Sequence, residues 1–294
     1  MSAAALQSAL DFARSLPGIN PDVYTPDDFH AVAAIVYAAS GNVLPDGKAM
    51  LVYSRLAPLV RETGSVTFAR FVELMRSDPA MQARAVAALT TNHTFFYREA
   101  HHFEHFDQVV RPGLVGALDA GRPARLWSAG CSSGEETWSL VLTLLGNESL
   151  AGRRLAQRDL RVLASDLAPH ALAKARAAQY ATKDLSAIPT DLIEPWIRID
   201  GDTAEIGEVA RSLVRFRQLN LLHDWPFSGQ FDVIFCRNVM IYFDLPTNQG
   251  LVERFARQLV PGGHLYIGHS ERVTGPAAAL LESVGPTIYR RRNA

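Results

Sequence analysis

The chain has 294 residues, 48% apolar and 20% charged, with a formal net charge of -1, which is ordinary globular composition without a basic field for nucleic acid. Two cysteines, Cys131 and Cys236, make neither a disulfide framework nor a zinc site, and no apolar run approaches the roughly 20 residues of a spanning helix. Met1 to Phe12 has no basic region ahead of an apolar core, so no secretory signal, membrane insertion or metal is expected, and a reducing cytoplasmic setting is.

The first 90 or so residues contain no convincing strand. A helix-like run begins at Asp27-Asp28-Phe29 and reaches about Ala39, with Phe29, Val32, Ala33 and Val36 on one face. Gly41 and Pro45 break it. A second run, Lys48 to Glu62, carries Leu51, Leu56, Leu59 and Val60 at helical spacing and stops at Gly64. Thr67 to Arg76 repeats the pattern with Phe68, Phe71, Val72 and Met75, and Asp78-Pro79 opens another helix. A small helical bundle over residues 1–90 is expected. From about Pro123 strand-like runs appear at Arg125–Ala129, Arg161–Ala164, Val214–Gln218, Phe231–Phe235 and His264–Gly268, mostly separated by helical patterns. That alternation implies a mostly parallel sheet in an α/β domain over 123–294. Residues 91–122 read as a linker that also starts the ligand site. Between about 181 and 213 the alternation lapses, and Asp200-Gly201-Asp202 marks a hairpin in a small β insertion.

In open α/β sheets ligands bind beyond the carboxyl ends of the strands, so the residues following each strand carry the information. Leu126 to Ala129 runs into Gly130-Cys131-Ser132-Ser133-Gly134-Glu135-Glu136. Gly130 and Gly134 allow close approach to the backbone, but the spacing is neither a dinucleotide fingerprint nor a phosphate loop. Two acids at the helix start suit its dipole and would repel a phosphate, which favours a ligand without phosphates, such as S-adenosylmethionine with its cationic sulfonium. A plain glycine turn with capping glutamates satisfies the same residues. Asp166 ends the next strand, where an acid commonly accepts hydrogen bonds from ribose hydroxyls; it lies 36 residues past Gly130, beyond the roughly 20 of a dinucleotide fold, and a helix cap is the alternative. Asn220 follows the third strand and could meet an adenine edge or close a turn. Phe231-Asp-Val-Ile-Phe235 enters Cys236, Arg237 and Asn238, with Tyr242 about a helical turn later; a cap by Asn238 and a core Tyr242 are the alternatives. Pro261-Gly262-Gly263 reads as a tight turn ahead of the last strand, and His269-Ser270-Glu271 as structural. His101, Glu104 and His105 fall in a His-x-x-Glu-His spacing, but a third ligand is missing, and a solvated helix face is expected there.

Thr90-Thr-Asn-His-Thr-Phe-Phe-Tyr-Arg98-Glu99 resembles the Thr-x-Asn-x-Thr-x-Phe-Phe-Arg signature of chemotaxis-receptor (CheR-type) protein-glutamate O-methyltransferases. The glycine turn is similar to that family's Ser-Ala-Gly-Cys-Ser-x-Gly-Glu-Glu-Pro motif, and Cys236 to Asp244 matches a later one residue for residue. The resemblance runs from about residue 26 to 290. Thr137-Trp138 stands where Pro-Tyr is usual, Ala168 replaces a second acid, and Tyr97 stands for the second Phe. Residues 1–25 have no family counterpart.

The resemblance implies a class I methyltransferase fold, Rossmann-like, with a β subdomain and an all-α N-terminal domain for substrate recognition. It implies S-adenosylmethionine as methyl donor and S-adenosylhomocysteine as product. Asn92, Thr94, Arg98, Glu135, Asp166, Asn220, Leu221, Arg237 and Asn238 would then line the cofactor pocket together with Gly130, and Arg98 and Tyr242 would face the reacting groups. The partner it implies is the helical cytoplasmic domain of a chemoreceptor, with a receptor C-terminal tail peptide as an optional second contact and a monomeric enzyme. The rival readings are the same chemistry on a non-chemotaxis receptor or a small molecule, and a non-catalytic receptor-binding adaptor. Residues 48–84 hold six bases, Lys48, Arg55, Arg61, Arg70, Arg76 and Arg84, against Glu62, Glu73 and Asp78, a local excess of +3; either a receptor-facing patch or an ordinary solvated surface accounts for it.

Overall fold

The computed structural model describes residues 19–20 and 22–293; the expectation about Met1 to Phe12 lies outside them. The chain divides into two units, one of residues 1–91 with 242–244, the other of 92–241 with 245–294.

Among the described residues of the first unit four helices form the bundle: α1 (Pro26–Ser40), α2 (Ala49–Glu62), α3 (Phe68–Ser77) and α4 (Pro79–Leu89). Their limits are set by local chemistry. Thr25 and Asp28 make a reciprocal capping box at the start of α1, and Gly41 in the left-handed conformation ends it. Asp78 accepts hydrogen bonds from the backbone N–H groups of Ala80 and Met81 at 2.8 and 3.2 Å, capping α4. The apolar faces meet: Phe29, Val32 and Val36 of α1, Val52, Leu56 and Val60 of α2, Phe68, Phe71 and Met75 of α3, and Met81 and Leu89 of α4 are all buried. Each such side chain contributes about 1.5–3 kcal/mol relative to exposure.

In the second unit ten strands make two sheets: β1 (Ala124–Ala129), β2 (Leu160–Asp166), β3 (Gln179–Ala181), β4 (Ile197–Asp200), β5 (Thr203–Ile206), β6 (Val214–Gln218), β7 (Phe231–Cys236), β8 (Leu259–Ile267), β9 (Leu281–Gly285) and β10 (Ile288–Arg291). The large sheet has the order β6-β2-β1-β7-β8-β10-β9. The first five strands are mutually parallel, and β10 and β9 close the edge antiparallel. Parallel neighbours require crossovers, and the chain winds outward from β1 to β6 before returning to β7. The strand order therefore reverses between β1 and β7, the position at which doubly wound sheets open a crevice. Both strands are buried along nearly their whole length, which explains their unbroken apolar runs. Trp127 anchors the sheet, packing against Trp225, Phe227, Phe231 and Phe255 with its Nε1 donating to Ser165 Oγ at 2.8 Å. The small sheet, β3-β5-β4, is antiparallel and contains the hairpin at Gly201.

Three local expectations change. Residues 92–122 belong with the second unit and hold a helix, His101–His105, that continues through a π turn into Arg111–Asp119. Pro261-Gly262-Gly263 lies inside β8 as a bulge opposite Asp232, with the register shifting between Phe231 and Val233, because β8 pairs on both sides of it. The hairpin of β9 and β10 was not expected: Leu281–Gly285 is short and half-exposed, and only pairing to β8 through β10 makes it a strand.

Candidate active site

The parallel strands all end at one rim of the sheet. After β1 the chain turns through Gly130 to Gly134 and enters α5 (Glu135–Leu145). Gly130 and Gly134 have φ of +80° and +99°. A Cβ on Gly130 would fall inside 3.0 Å of Val239 Cγ2, and one on Gly134 would meet Tyr180 Oη at 2.8 Å. The first contact brings the turn after β1 against the segment after β7, across the point where strand order reverses.

Two groups of polar side chains occupy this rim. The first joins β1 to β2. Asp166 Oδ2 accepts from the Ser132 backbone N–H at 2.8 Å and its Oδ1 from that of Ala168 at 2.9 Å. Ser132 Oγ donates to the Asn92 carbonyl at 2.9 Å, and the Asn92 amide lies 3.0 Å from His170 Nε2. Burial raises the Asp166 carboxyl above its usual range, against the backbone N–H groups that favour the anion. Glu135, buried, accepts from Ser133 Oγ at 2.7 Å and lies 3.5 Å from Lys174 Nζ. Next to Asp166, Leu219 N–H donates to the Asp166 carbonyl and brings in Asn220, whose Oδ1 accepts from Leu222 N–H at 3.0 Å. Leu221 is buried, with its carbonyl held by Trp225 Nε1 and Arg254 Nη1.

The second group joins β7 and β8 to the segment 92–99. Arg237 is buried; its Nη1 donates to Glu136 Oε2 at 3.2 Å, and its Nη2 donates to the Arg98 carbonyl and lies 3.3 Å from Glu99 Oε2. One guanidinium is thus shared by two carboxylates. Burial would raise Glu99, but Arg237 and the His269 hydrogen bonds outweigh it and hold the carboxyl at about 2. Burial dominates at Glu136, which is raised despite Arg237. Asn238 has φ +58° and donates from Nδ2 to Glu99 Oε1 at 3.3 Å. Glu271, 2% exposed, accepts from the backbone N–H groups of Gly268, Asn238 and Met240 at 2.5, 3.2 and 2.7 Å, so the structural reading of that segment holds. Arg98 Nη1 donates to the His93 carbonyl at 3.1 Å, and its guanidinium lies 5.9 Å from the Phe95 ring centre; Thr94 is half-buried in the same segment.

Eight of the expected residues, from Asn92 to Leu221, together with Arg237 and Asn238, thus lie in the second unit at or beside this rim. Tyr242 is grouped with the helical unit, where its carbonyl accepts from Val43 N–H at 2.8 Å. The Arg237 guanidinium is paired within the protein, with Glu99 and Glu136. Sequence reasoning missed Glu99 and Glu136 as its partners, although a buried cation must be paired and both acids sit inside the quoted motifs. His105, expected on a solvated face, is half-buried with Nδ1 2.9 Å from Tyr266 Oη, while Glu104 is exposed. No group of three or more metal-binding side chains occurs among the described residues. Cys131 and Cys236 are buried, which pushes both thiols up.

The donor set fits S-adenosylmethionine. Acids and amides surround an open glycine turn, suited to hydroxyls and a cationic centre, and Arg98 offers a cation for a carboxylate. The fold and this rim define a class I S-adenosylmethionine-dependent methyltransferase. Residues 92–288 match the SAM-binding domain of CheR methyltransferase and residues 27–90 its all-alpha domain. The chain belongs to the CheR methyltransferase family. It is 42% identical over 262 residues to a probable chemotaxis protein methyltransferase of Rhizobium etli, covering 87% of this chain and 96% of that one. It is 40% identical to chemotaxis protein methyltransferase 2 of Pseudomonas aeruginosa, covering 90% and 93%, and 32% identical to the chemotaxis protein methyltransferase of Borreliella burgdorferi, covering 91% and 95%. No helix among the described residues is long and apolar enough to cross a membrane.

Proposed function

We propose that this methyltransferase esterifies glutamate side chains on the helical cytoplasmic domain of a chemoreceptor. The observation that carries the reading is the rim itself: Asp166 held by the Gly130–Gly134 turn on one side, and the Arg98 carbonyl held by Arg237, with the neighbouring Glu99 held by Asn238, on the other. The names of the relatives supply the chemotaxis context.

The cofactor supplies an electrophilic methyl group on a sulfonium. A glutamate has a reference pKa near 4.3, so at pH 7 it is already an anionic nucleophile and needs no strong base. What the chain must supply is alignment, with reacting atoms about 3–3.5 Å apart. Transfer converts carboxylate and sulfonium to ester and thioether, so a water-poor site need not oppose it. Asp166 and Asn220 are suited to ribose hydroxyls and an adenine edge, and Glu135 to the turn and the cofactor beside it. Arg98 would orient one carboxylate oxygen, of substrate or of cofactor; a tighter bidentate pair would blunt the nucleophile. Tyr242 would donate a hydrogen bond to the reacting groups or shape the path of the methyl group. Residues 1–90 would bind the substrate, in a cytoplasmic and monomeric enzyme, with the small sheet as the docking place for a receptor tail peptide where one is used. Within residues 48–84 Arg76 pairs with Glu73 and Arg84 with Glu62, which leaves the +3 excess unchanged, and Arg55 donates to the Thr90 carbonyl.

Labelled S-adenosylmethionine incubated with receptor cytoplasmic fragments tests the reading. Base-labile label on glutamate is expected, and Arg98→Ala should lower it by about 100-fold, the scale of losing an aligning group. Label on another residue, or none, would overturn it.

A further inference from the structure

Arg98 sits between two left-handed residues, Tyr97 at φ +53° and Glu99 at φ +58°. Side chains other than glycine rarely persist there unless their surroundings over-determine them. Tyr97 is fixed by Ser139 Oγ, which accepts from its N–H at 2.9 Å, and by Thr143 Oγ1, 3.0 Å from its Oη. On the other flank the fixing is done by the Glu99 carboxylate. Its Oε1 accepts from His269 Nδ1 at 2.9 Å, from His269 N–H at 3.2 Å and from Asn238 Nδ2 at 3.3 Å. Its Oε2 lies 3.3 Å from Arg237 Nη2 and 3.5 Å from His102 Nδ1. The same Arg237 Nη2 donates to the Arg98 carbonyl. Arg98's own guanidinium is turned to the His93 carbonyl and the Phe95 ring, so Glu99 reaches Arg98 through the backbone.

We propose that Glu99 is a positioning residue for methyl transfer: its carboxylate ties the segment carrying Arg98 to the ends of β7 and β8, and so sets where the Arg98 guanidinium stands. The proposal rests on the role given to Arg98 above. An anion is needed there because three donors and a guanidinium converge on it; a neutral amide would face them with one acceptor and two donors of its own. Four segments of the rim meet at this one side chain, through Arg98, Arg237 and Asn238, His102, and His269.

The test is a double-mutant cycle of Glu99→Gln and Arg98→Ala, read as methyl transfer to receptor cytoplasmic fragments and, separately, as S-adenosylhomocysteine affinity by calorimetry. Thermal melts of each variant identify loss of fold. Glu99→Gln in the otherwise intact enzyme is expected to lower methyl transfer about tenfold or more, and to do nothing further once Arg98 is alanine. Glu99→Asp, which keeps the charge with a shorter reach, should recover part of the loss and answers the same cycle if Glu99→Gln does not fold. Equal losses in both backgrounds, or no loss from Glu99→Gln, would overturn the proposal. Full activity of Arg98→Ala by itself would instead overturn the role of Arg98.

Discussion

The glycine at the head of the turn after β1 offers a sharp test of the site's construction. At Gly130→Ala two costs add. The position has φ +80°, and a left-handed conformation costs an L side chain about 1–2 kcal/mol. The new Cβ would fall inside 3.0 Å of Val239 Cγ2, with Val239 Cβ and Cγ1 at 3.6 Å, and such overpacking costs about 1–3 kcal/mol. The sum is about 2–5 kcal/mol, a large share of the 5–15 kcal/mol by which domains are folded. The two terms are separable because Val239→Ala removes the offending methyl but not the strained backbone. Urea unfolding of the two single variants and the double should show a favourable coupling of about 1–3 kcal/mol, leaving the residual 1–2 kcal/mol of the left-handed position. Calorimetry with S-adenosylhomocysteine should show weakened binding in Gly130→Ala that the double variant partly restores. A Gly130→Ala loss below about 1 kcal/mol, or strict additivity with Val239→Ala, would refute the claim that close approach of these two segments builds the rim.

Arg237→Met leaves the half-buried Glu99 and the buried Glu136 without their shared cation and should cost about 3–5 kcal/mol. Adding Glu136→Gln should recover part of that in urea melts, and a loss under about 1 kcal/mol would refute the cross-link. For His102, burial, with Arg237 and His101 adding to it, holds the imidazole down at about 3, against an unfolded value near 6.5. Between these values the unfolded chain takes up a proton that the folded chain refuses, so stability rises with pH and is lost as pH falls from 6.5 toward 3. His102→Gln should make the pH dependence of stability shallower by about one proton between pH 6.5 and 4.5. That range lies above the window in which Glu99, depressed from 4.5 to about 2, begins to lose its own contribution as pH falls. Parallel slopes in wild type and His102→Gln would exclude the assignment.

Local composition was enough to determine much of this protein. Buried central strands cannot alternate, so Leu126 to Ala129 and Phe231 to Phe235 announced β1 and β7 by their apolar runs alone, and Asp27-Asp28 and Asp78-Pro79 announced helix starts because caps act over three or four residues. The polar residues that follow each parallel strand were legible as a site for the same reason: parallel topology forces their ends to one rim, and Gly130, Asp166, Asn220 and Asn238 all follow strands. What tertiary structure decided were pairings between residues far apart in the chain. Pro261-Gly262-Gly263 became a bulge because neighbouring strands continue past it, and Leu281–Gly285 became a strand because β10 was there to pair it. Arg237 is tied to Glu99 and Glu136, acids more than about 100 residues earlier in the chain that reach it only through the fold. A side chain's charge is written in the sequence; the partner that neutralises it, and so its role, depends on which distant segment comes within hydrogen-bonding reach.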